Sequence, residues 1–253
     1  MANFEQSNIV VTGSASGIGL AITLTLAERG ATVWTVDLSK DPPDALKSWI
    51  EKGRVHFQGN IDVGDRKSCR AYMESVVSTA GRIDGLVNNA GIGLYEGPIA
   101  SDEVYDRMIS VNIGGTWNYG TAALRVMQKQ EPKGPWNSRG NIVNIASGAG
   151  LRGVSQLACY CATKHAVIGL ARSWQEDFGQ YGIRINAVAP GATQTEAFVK
   201  RAEEEKGFLG TLPSNPLGRF AKPAEIAAAV AFCLSDEASY VAGEVLQVTG
   251  GHC

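Results

Sequence analysis

Residues 8–30 read NIVVTGSASGIGLAITLTLAERG, and this stretch decides the fold. An apolar, β-branched run (8–12) meets a turn holding Gly13, Gly17 and Gly19, and a helical pattern follows with no further glycine until Gly30. Strand, glycine turn and helix in that order open a βαβ unit. Glycines permit a tight turn and a close backbone approach, and a helix N-terminus presents free N–H groups to an anion. The spacing is G-x-x-x-G-x-G, not the commoner G-x-G-x-x-G. The physical requirement is similar, because a pyrophosphate must touch backbone.

Along the whole chain, apolar runs predict strands at 8–12, 32–37, 54–59, 84–88, 140–146, 183–189 and 244–248. Between them, 3.6-residue periodicity predicts helices over 17–29, 43–52, 65–80, 101–130, 158–181 and 223–234. Near-continuous apolar strands separated by helices indicate a parallel sheet covered on both faces. No internal repeat or linker-like stretch divides the chain, so residues 1–253 are expected to form one doubly wound α/β domain. Two segments break the rhythm. Residues 129–140 (KQEPKGPWNSRG) have the proline and glycine content of a surface loop. Residues 191–220 are long for a connection, carry Phe198, Phe208, Leu209, Leu212 and Phe220, and are expected to form a substrate lid.

Composition excludes several classes of function. The 253 residues are 44% hydrophobic and 19% charged, as in globular proteins. A net charge of −2 gives no general attraction to nucleic acid or anionic membrane. The opening MANFEQSNIVVTG lacks the pattern of a signal peptide, and no apolar run reaches the ~18 residues of a membrane helix. A soluble, cytoplasmic chain is therefore expected. Cys69, Cys159, Cys161, Cys233 and Cys253 lack metal-ligand spacing, and His56, His165 and His252 do not cluster with carboxylates or thiols. Reduced thiols and no metal site are expected.

The second predicted strand ends at Asp37, 18 residues beyond Gly19. A carboxylate there accepts from ribose hydroxyls and repels a 2′-phosphate. No Arg or Lys lies among Ser14, Ala15 and Ser16, or at Leu38; Lys40 is the nearest cation. NAD is therefore expected in preference to NADP. Further along, CYCATKHAVIGLA (159–171) carries Tyr160 and Lys164 four positions apart, on one face of a helix. Alone, the pair could decorate a packed helix. Beside a nucleotide site it suits alcohol oxidation, because a phenol of ordinary pKa about 10 is a poor base until an ammonium stabilises its anion.

With these residues in place, the chain resembles the short-chain dehydrogenase/reductase family along essentially its whole length. The motifs are TGSASGIG (12–19), NNAG (88–91), VN (111–112), Ser147, Tyr160-x-x-x-Lys164 and PG (190–191). The resemblance implies a single-domain Rossmann fold with a seven-stranded parallel sheet and helices on both faces. It implies a nicotinamide-dependent oxidoreductase interconverting a secondary alcohol and a ketone. Tyr160 would be the general acid and base, Lys164 would bias it and hold the cofactor ribose, and Ser147 would hold the reacting oxygen. Asn112 would hold a water that links Lys164 to solvent; a helix-interior Asn bonded to local backbone is the alternative. Cofactor contacts implied are Gly13, Ser16, Gly17, Ile18, Gly19, Asp37, Leu38, Asp62, Val63, Asn89, Ala90, Gly91, Tyr160, Lys164, Pro190, Gly191, Thr193 and Thr195. Thr193 stands where the family usually has Ile or Val. A homotetramer is implied as well.

A non-catalytic NAD-binding scaffold is the rival, although it has no need of Asn112, Ser147, Tyr160 and Lys164 together. A hydrolase lacks support, because no G-x-S-x-G elbow is present. Ile92, Leu94, Tyr95, Gly148, Leu151 and Val154 lie near the site residues in sequence, with Arg152 the nearby cation. They point to a bulky apolar alcohol or ketone, steroid-like, terpenoid or polyketide.

Overall fold

Extended segments form where β-branched residues run together, and each but the last is followed by a helix. The structure is a computed structural model that describes residues 3–94, 96–196, 198–199 and 215–252. The strands are β1 (Asn8–Thr12), β2 (Thr32–Val36), β3 (Val55–Gln58), β4 (Gly85–Asn88), β5 (Gly140–Ile145), β6 (Ile183–Pro190) and β7 (Val245–Val248). They form one seven-stranded sheet in the order β3-β2-β1-β4-β5-β6-β7. Every neighbouring pair is parallel.

The helices are α1 (Gly17–Glu28), α2 (Asp44–Glu51), α3 (Arg66–Ala80), α4 (Asp102–Met108), α5 (Thr116–Met127), α6 (Ala158–Phe178) and α7 (Pro223–Leu234). Their ends carry recognisable stops. Asp65 caps α3 by accepting from the N–H groups of Lys67 and Ser68, and Gly81 closes it in the left-handed region at φ +77°. The expected single helix over 101–130 is corrected. Between α4 and α5 the chain winds as a π-helix over Ile109–Gly115. A single widened turn leaves the apolar periodicity on both sides almost intact, so spacing alone does not reveal it.

Successive strand residues point to opposite faces, and both faces are covered. Val10, Leu86, Ile142 and Ile185 face one core with Met73 and Val76 of α3, Leu124 of α5 and Ile168 and Trp174 of α6. Ile9, Val11, Val87, Val143 and Val188 face the other with Ile22 and Leu26 of α1, Leu46 of α2 and Val230 of α7. Among the described residues no helix is long and apolar enough to cross a membrane. Trp136, in the predicted surface loop, is 60% exposed. Of the expected lid, Phe208, Leu209 and Leu212 lie outside the described residues. Phe198 and Phe220, on its two described flanks, meet edge to face at 5.1 Å.

Candidate active site

Strand order reverses between β1 and β4, and ligands of open α/β sheets bind beyond the carboxyl ends of strands at such a point. A cleft of about 670 Å³ opens there. The turn after β1 forms its floor. Gly13 takes φ +69°, and its N–H donates to the carbonyl of Val36 at 2.8 Å. Gly19 is required for a different reason: a Cβ there would lie 1.8 Å from the Gly13 carbonyl oxygen and 2.4 Å from Asn89 Nδ2. Asn89 secures the turn, donating from Nδ2 to the carbonyls of Thr12 and Gly13 at 2.9 Å each. Gly19→Ala is expected to destabilise the protein by about 1–3 kcal/mol, as overpacking does, and to weaken NADH binding by more than tenfold. Thermal unfolding and a fluorescence titration check this, and an alanine variant binding NADH like the parent would refute it.

The residues of this turn fit a dinucleotide. Ser16 precedes α1 in extended backbone and its side chain does not cap the helix, which leaves the first N–H groups of the helix open to an anion. Ser14 Oγ is buried there with no hydrogen-bond partner. Asp37 lies at the end of β2, with Oδ2 accepting from Ala15 N (2.8 Å) and Oδ1 from Ser39 N (2.9 Å). Its carboxylate thus borders the glycine turn and the cleft at once. Asp62 meets the Arg107 guanidinium at 2.6 Å and accepts from Gly64 N at 2.9 Å. Burial works to raise the Asp62 carboxyl, but Arg107 and the Gly64 N–H outweigh it and hold it below the ordinary value.

The other half of the cleft is built from the end of β5 and the first turns of α6. Ser147 is extended, and its Oγ accepts from Ala149 N at 3.2 Å. Tyr160 and Lys164 stand one helical turn apart, with Lys164 Nζ 5.7 Å from the centre of the Tyr160 ring. Nζ donates to the carbonyl of Ile145 at 2.9 Å, and the Lys164 side chain is buried. Burial draws the ammonium down to about 8 from 10.5. Burial pushes the Tyr160 phenol up, while a hydrogen bond with Ser147 pulls it down.

Asn112 occupies the centre of the π-helix and is buried. Its Oδ1 accepts from Ile92 N at 2.8 Å, and Nδ2 donates to Ile92 O and to Thr163 Oγ1, both at 3.0 Å. These partners are distant in sequence, so the local-backbone alternative does not describe it. A Cβ on Gly91 would lie 3.2 Å from Lys164 Nζ and 3.3 Å from Asn112 Oδ1, so the amide and the ammonium face one small gap.

Gly13, Ser16, Gly17, Ile18, Gly19, Asp37, Leu38, Asp62, Val63, Asn89, Ala90, Gly91, Ser147, Tyr160, Lys164, Pro190, Gly191, Thr193 and Thr195 all line the one cleft. Asn112 does not, and stands behind it. Of the apolar residues expected around a substrate, Ile92, Gly148 and Val154 line the cleft, joined by Leu157, Ala192 and Phe198. Leu94 and Leu151 are not part of the lining, and Tyr95 lies outside the described residues. Arg152 and Glu196 add opposite charges to the wall. Sequence reasoning missed Arg107, the Ile145 carbonyl and Glu96, which accepts from Cys159 N and Tyr160 N at 2.7 and 2.8 Å. One signal was available for Glu96: α6 begins behind Leu157, a residue unable to cap a helix.

Comparison with known proteins bears on what this arrangement does. A family model described as enoyl-(acyl carrier protein) reductase matches residues 13–252. A 3-oxoacyl-(acyl-carrier-protein) reductase of Thermotoga maritima is 39% identical over 253 residues, covering 98% of each chain. The crystal structure of levodione reductase superposes with a TM-score of 0.86 at 33% identity, again over 98% of both chains. A structure of ElxO with NADP bound gives a TM-score of 0.84 at 30% identity, over 99% of this chain and 98% of that one.

Proposed function

The chain belongs to the short-chain dehydrogenase/reductase family of oxidoreductases, which act on CH–OH groups with a nicotinamide cofactor; on that premise we propose an NAD(H)-preferring enzyme that interconverts a bulky, apolar secondary alcohol and its ketone. Support comes from one feature above the rest: Ser147, Tyr160 and Lys164 open onto the same cleft as the glycine turn and Asp37. A bound nicotinamide would accept or return the hydride.

The chain's own residues handle the proton. Ser147 holds the reacting oxygen beside the Tyr160 phenol. In oxidation Tyr160 takes the hydroxyl proton, and in reduction it returns that proton to the forming alkoxide. Lys164 is charged at neutral pH, and its ammonium stabilises the phenolate. Asn112 ties Ile92 to α6 and, across the gap at Gly91, lies beside Lys164 on the route by which a proton reaches solvent. Gly13, Ser16, Gly17, Ile18 and Gly19 would receive the pyrophosphate of a bound dinucleotide, and Asp62 and Val63 would border its adenine end. Asn89, Ala90 and Gly91 would hold the ribose. Pro190, Gly191, Thr193 and Thr195 would hold the nicotinamide end. The apolar wall of Ile92, Val154, Leu157 and Phe198 suits a carbon skeleton larger than a simple alcohol. A homotetramer belongs to the same proposal, in keeping with Trp117 on α5 and Phe232 on α7, which are 43% and 36% exposed.

NAD is preferred because Asp37 and Leu38 border the cleft while Lys40 does not. The ElxO structure carries NADP, so the preference for NAD rests on Asp37 and draws no support from the relatives. Initial rates across cyclic secondary alcohols of increasing size, with each cofactor, test the proposal. The kcat/KM with NAD is expected to exceed that with NADP by at least tenfold, about 1.4 kcal/mol of discrimination, and Asp37→Ala should shrink the gap. Equal use of both cofactors by the parent enzyme would overturn the cofactor assignment.

A further inference from the structure

The first N–H groups of a helix lack intrahelical partners, and a Ser, Thr, Asp or Asn at the preceding position ordinarily accepts from them. In α6 that position is Leu157, and no local side chain takes the role. The acceptor comes from another part of the chain. Glu96 Oε2 accepts from Cys159 N at 2.7 Å, and Oε1 accepts from Tyr160 N at 2.8 Å. Glu96 is only 5% exposed, and it forms no ion pair among the described residues. An isolated buried carboxylate is costly, and paired N–H groups at a positive helix end are among the few partners that compensate it.

The other main-chain polar atom of Tyr160 is held as well. Its carbonyl accepts from Thr163 Oγ1 at 2.8 Å, and Thr163 Oγ1 in turn accepts from Asn112 Nδ2. Asn112 also grips both main-chain atoms of Ile92. Ile92 is thus fastened to the π-helix, and Glu96 to the Tyr160 amide. Ile92 and its neighbour Gly93 line the cleft.

We propose that Glu96 is a positioning residue for proton transfer: its carboxylate supplies the missing cap of α6 and sets the Tyr160 phenol against the substrate wall that Ile92 and Gly93 form. The proposal rests on Tyr160 being the proton-transfer group. A displacement of about 1 Å in a reacting group lowers turnover by up to a hundredfold.

Glu96→Ala and Glu96→Gln in the full chain test it, with kcat, KM and the NADH dissociation constant measured for each. Glu96→Ala is expected to lower kcat about 10- to 100-fold. Glu96→Gln should lose less, because its amide oxygen keeps one of the two bonds, and it carries the test if the alanine variant does not fold. NADH affinity should stay within about twofold of the parent, since the glycine turn and Asp37 lie outside the clamp. A kcat within twofold of the parent in Glu96→Ala overturns the proposal, and so does a fall in kcat matched by an equal weakening of NADH binding. Tyr160→Phe separates the two levels. If that variant turns over normally, the role of Tyr160 itself fails; if it is inactive while Glu96→Ala is fully active, only the clamp fails.

Discussion

Replacing Tyr160 with Phe is expected to reduce NAD(P)-linked turnover by at least about a thousandfold, within the range spanned by loss of a general acid and base. The substitution keeps the ring and removes only the phenolic oxygen. Cofactor binding should change by less than about twofold, because the glycine turn and Asp37 hold the far half of the cleft. Burial raises the phenol, so at neutral pH it carries its proton and suits ketone reduction. Alcohol oxidation in the parent enzyme should therefore accelerate with pH as the phenolate forms. The residual rate of Tyr160→Phe should lack that rise. Steady-state rates from pH 6 to 10, with NADH titrations alongside, supply the check. Turnover within tenfold of the parent would overturn the assignment.

Lys164→Met is expected to abolish turnover and yet stabilise the fold. The ammonium is buried, and its depression from 10.5 to about 8 corresponds to roughly 3 kcal/mol of destabilisation at neutral pH. Met fills nearly the same volume without charge. It forfeits the bond to the Ile145 carbonyl, about 1 kcal/mol, and leaves a net gain of roughly 1–2 kcal/mol. The pH dependence gives the mechanism away. Below about 8 both the folded and the unfolded parent hold the proton, so the cost is complete. Between about 8 and 10.5 only the unfolded chain holds it, and the parent gains stability as pH rises. The advantage of the variant should therefore be full at pH 7 and vanish near pH 10.5. Denaturant unfolding of both proteins at pH 7, 9 and 10.5 measures it. A variant less stable than the parent at pH 7 would show that the buried charge is compensated.

What could be read in advance divides by distance along the chain. The glycine turn, Asp37 at a strand end and the Tyr160–Lys164 pair are each defined within a few residues, so periodicity and spacing disclose them. Parallel strands between helices likewise led to the seven-stranded sheet. Other features depend on pairings that no local pattern encodes. Arg107 meets Asp62 across 45 positions, and Glu96 reaches the α6 terminus across 63 and 64. Asn112 was legible as a residue, but its partners Ile92 and Thr163 were not, because they lie 20 and 51 positions away. The π-turn escaped for a third reason: one extra residue shifts the phase of the apolar stripe and leaves the 3.6-residue repeat on either side unbroken.

That widened turn has a consequence for how the chain tolerates length changes. A π-turn amounts to one extra residue in a helical ladder, and one residue turns a helix by about 100°. Wound as a continuous α-helix, the same residues would turn α5 about 100° away from its present face, and the widened turn absorbs that residue. Its phase brings Tyr119, Ala123 and Leu124 onto the sheet while Asn112 points toward α6. Deleting one residue between Ile109 and Gly115 would let a continuous α-helix form with both flanks on their present faces, but the widened turn that aims Asn112 at Ile92 and Thr163 would be lost. The extra residue thus serves the aim of the amide and leaves the alignment of the core unchanged.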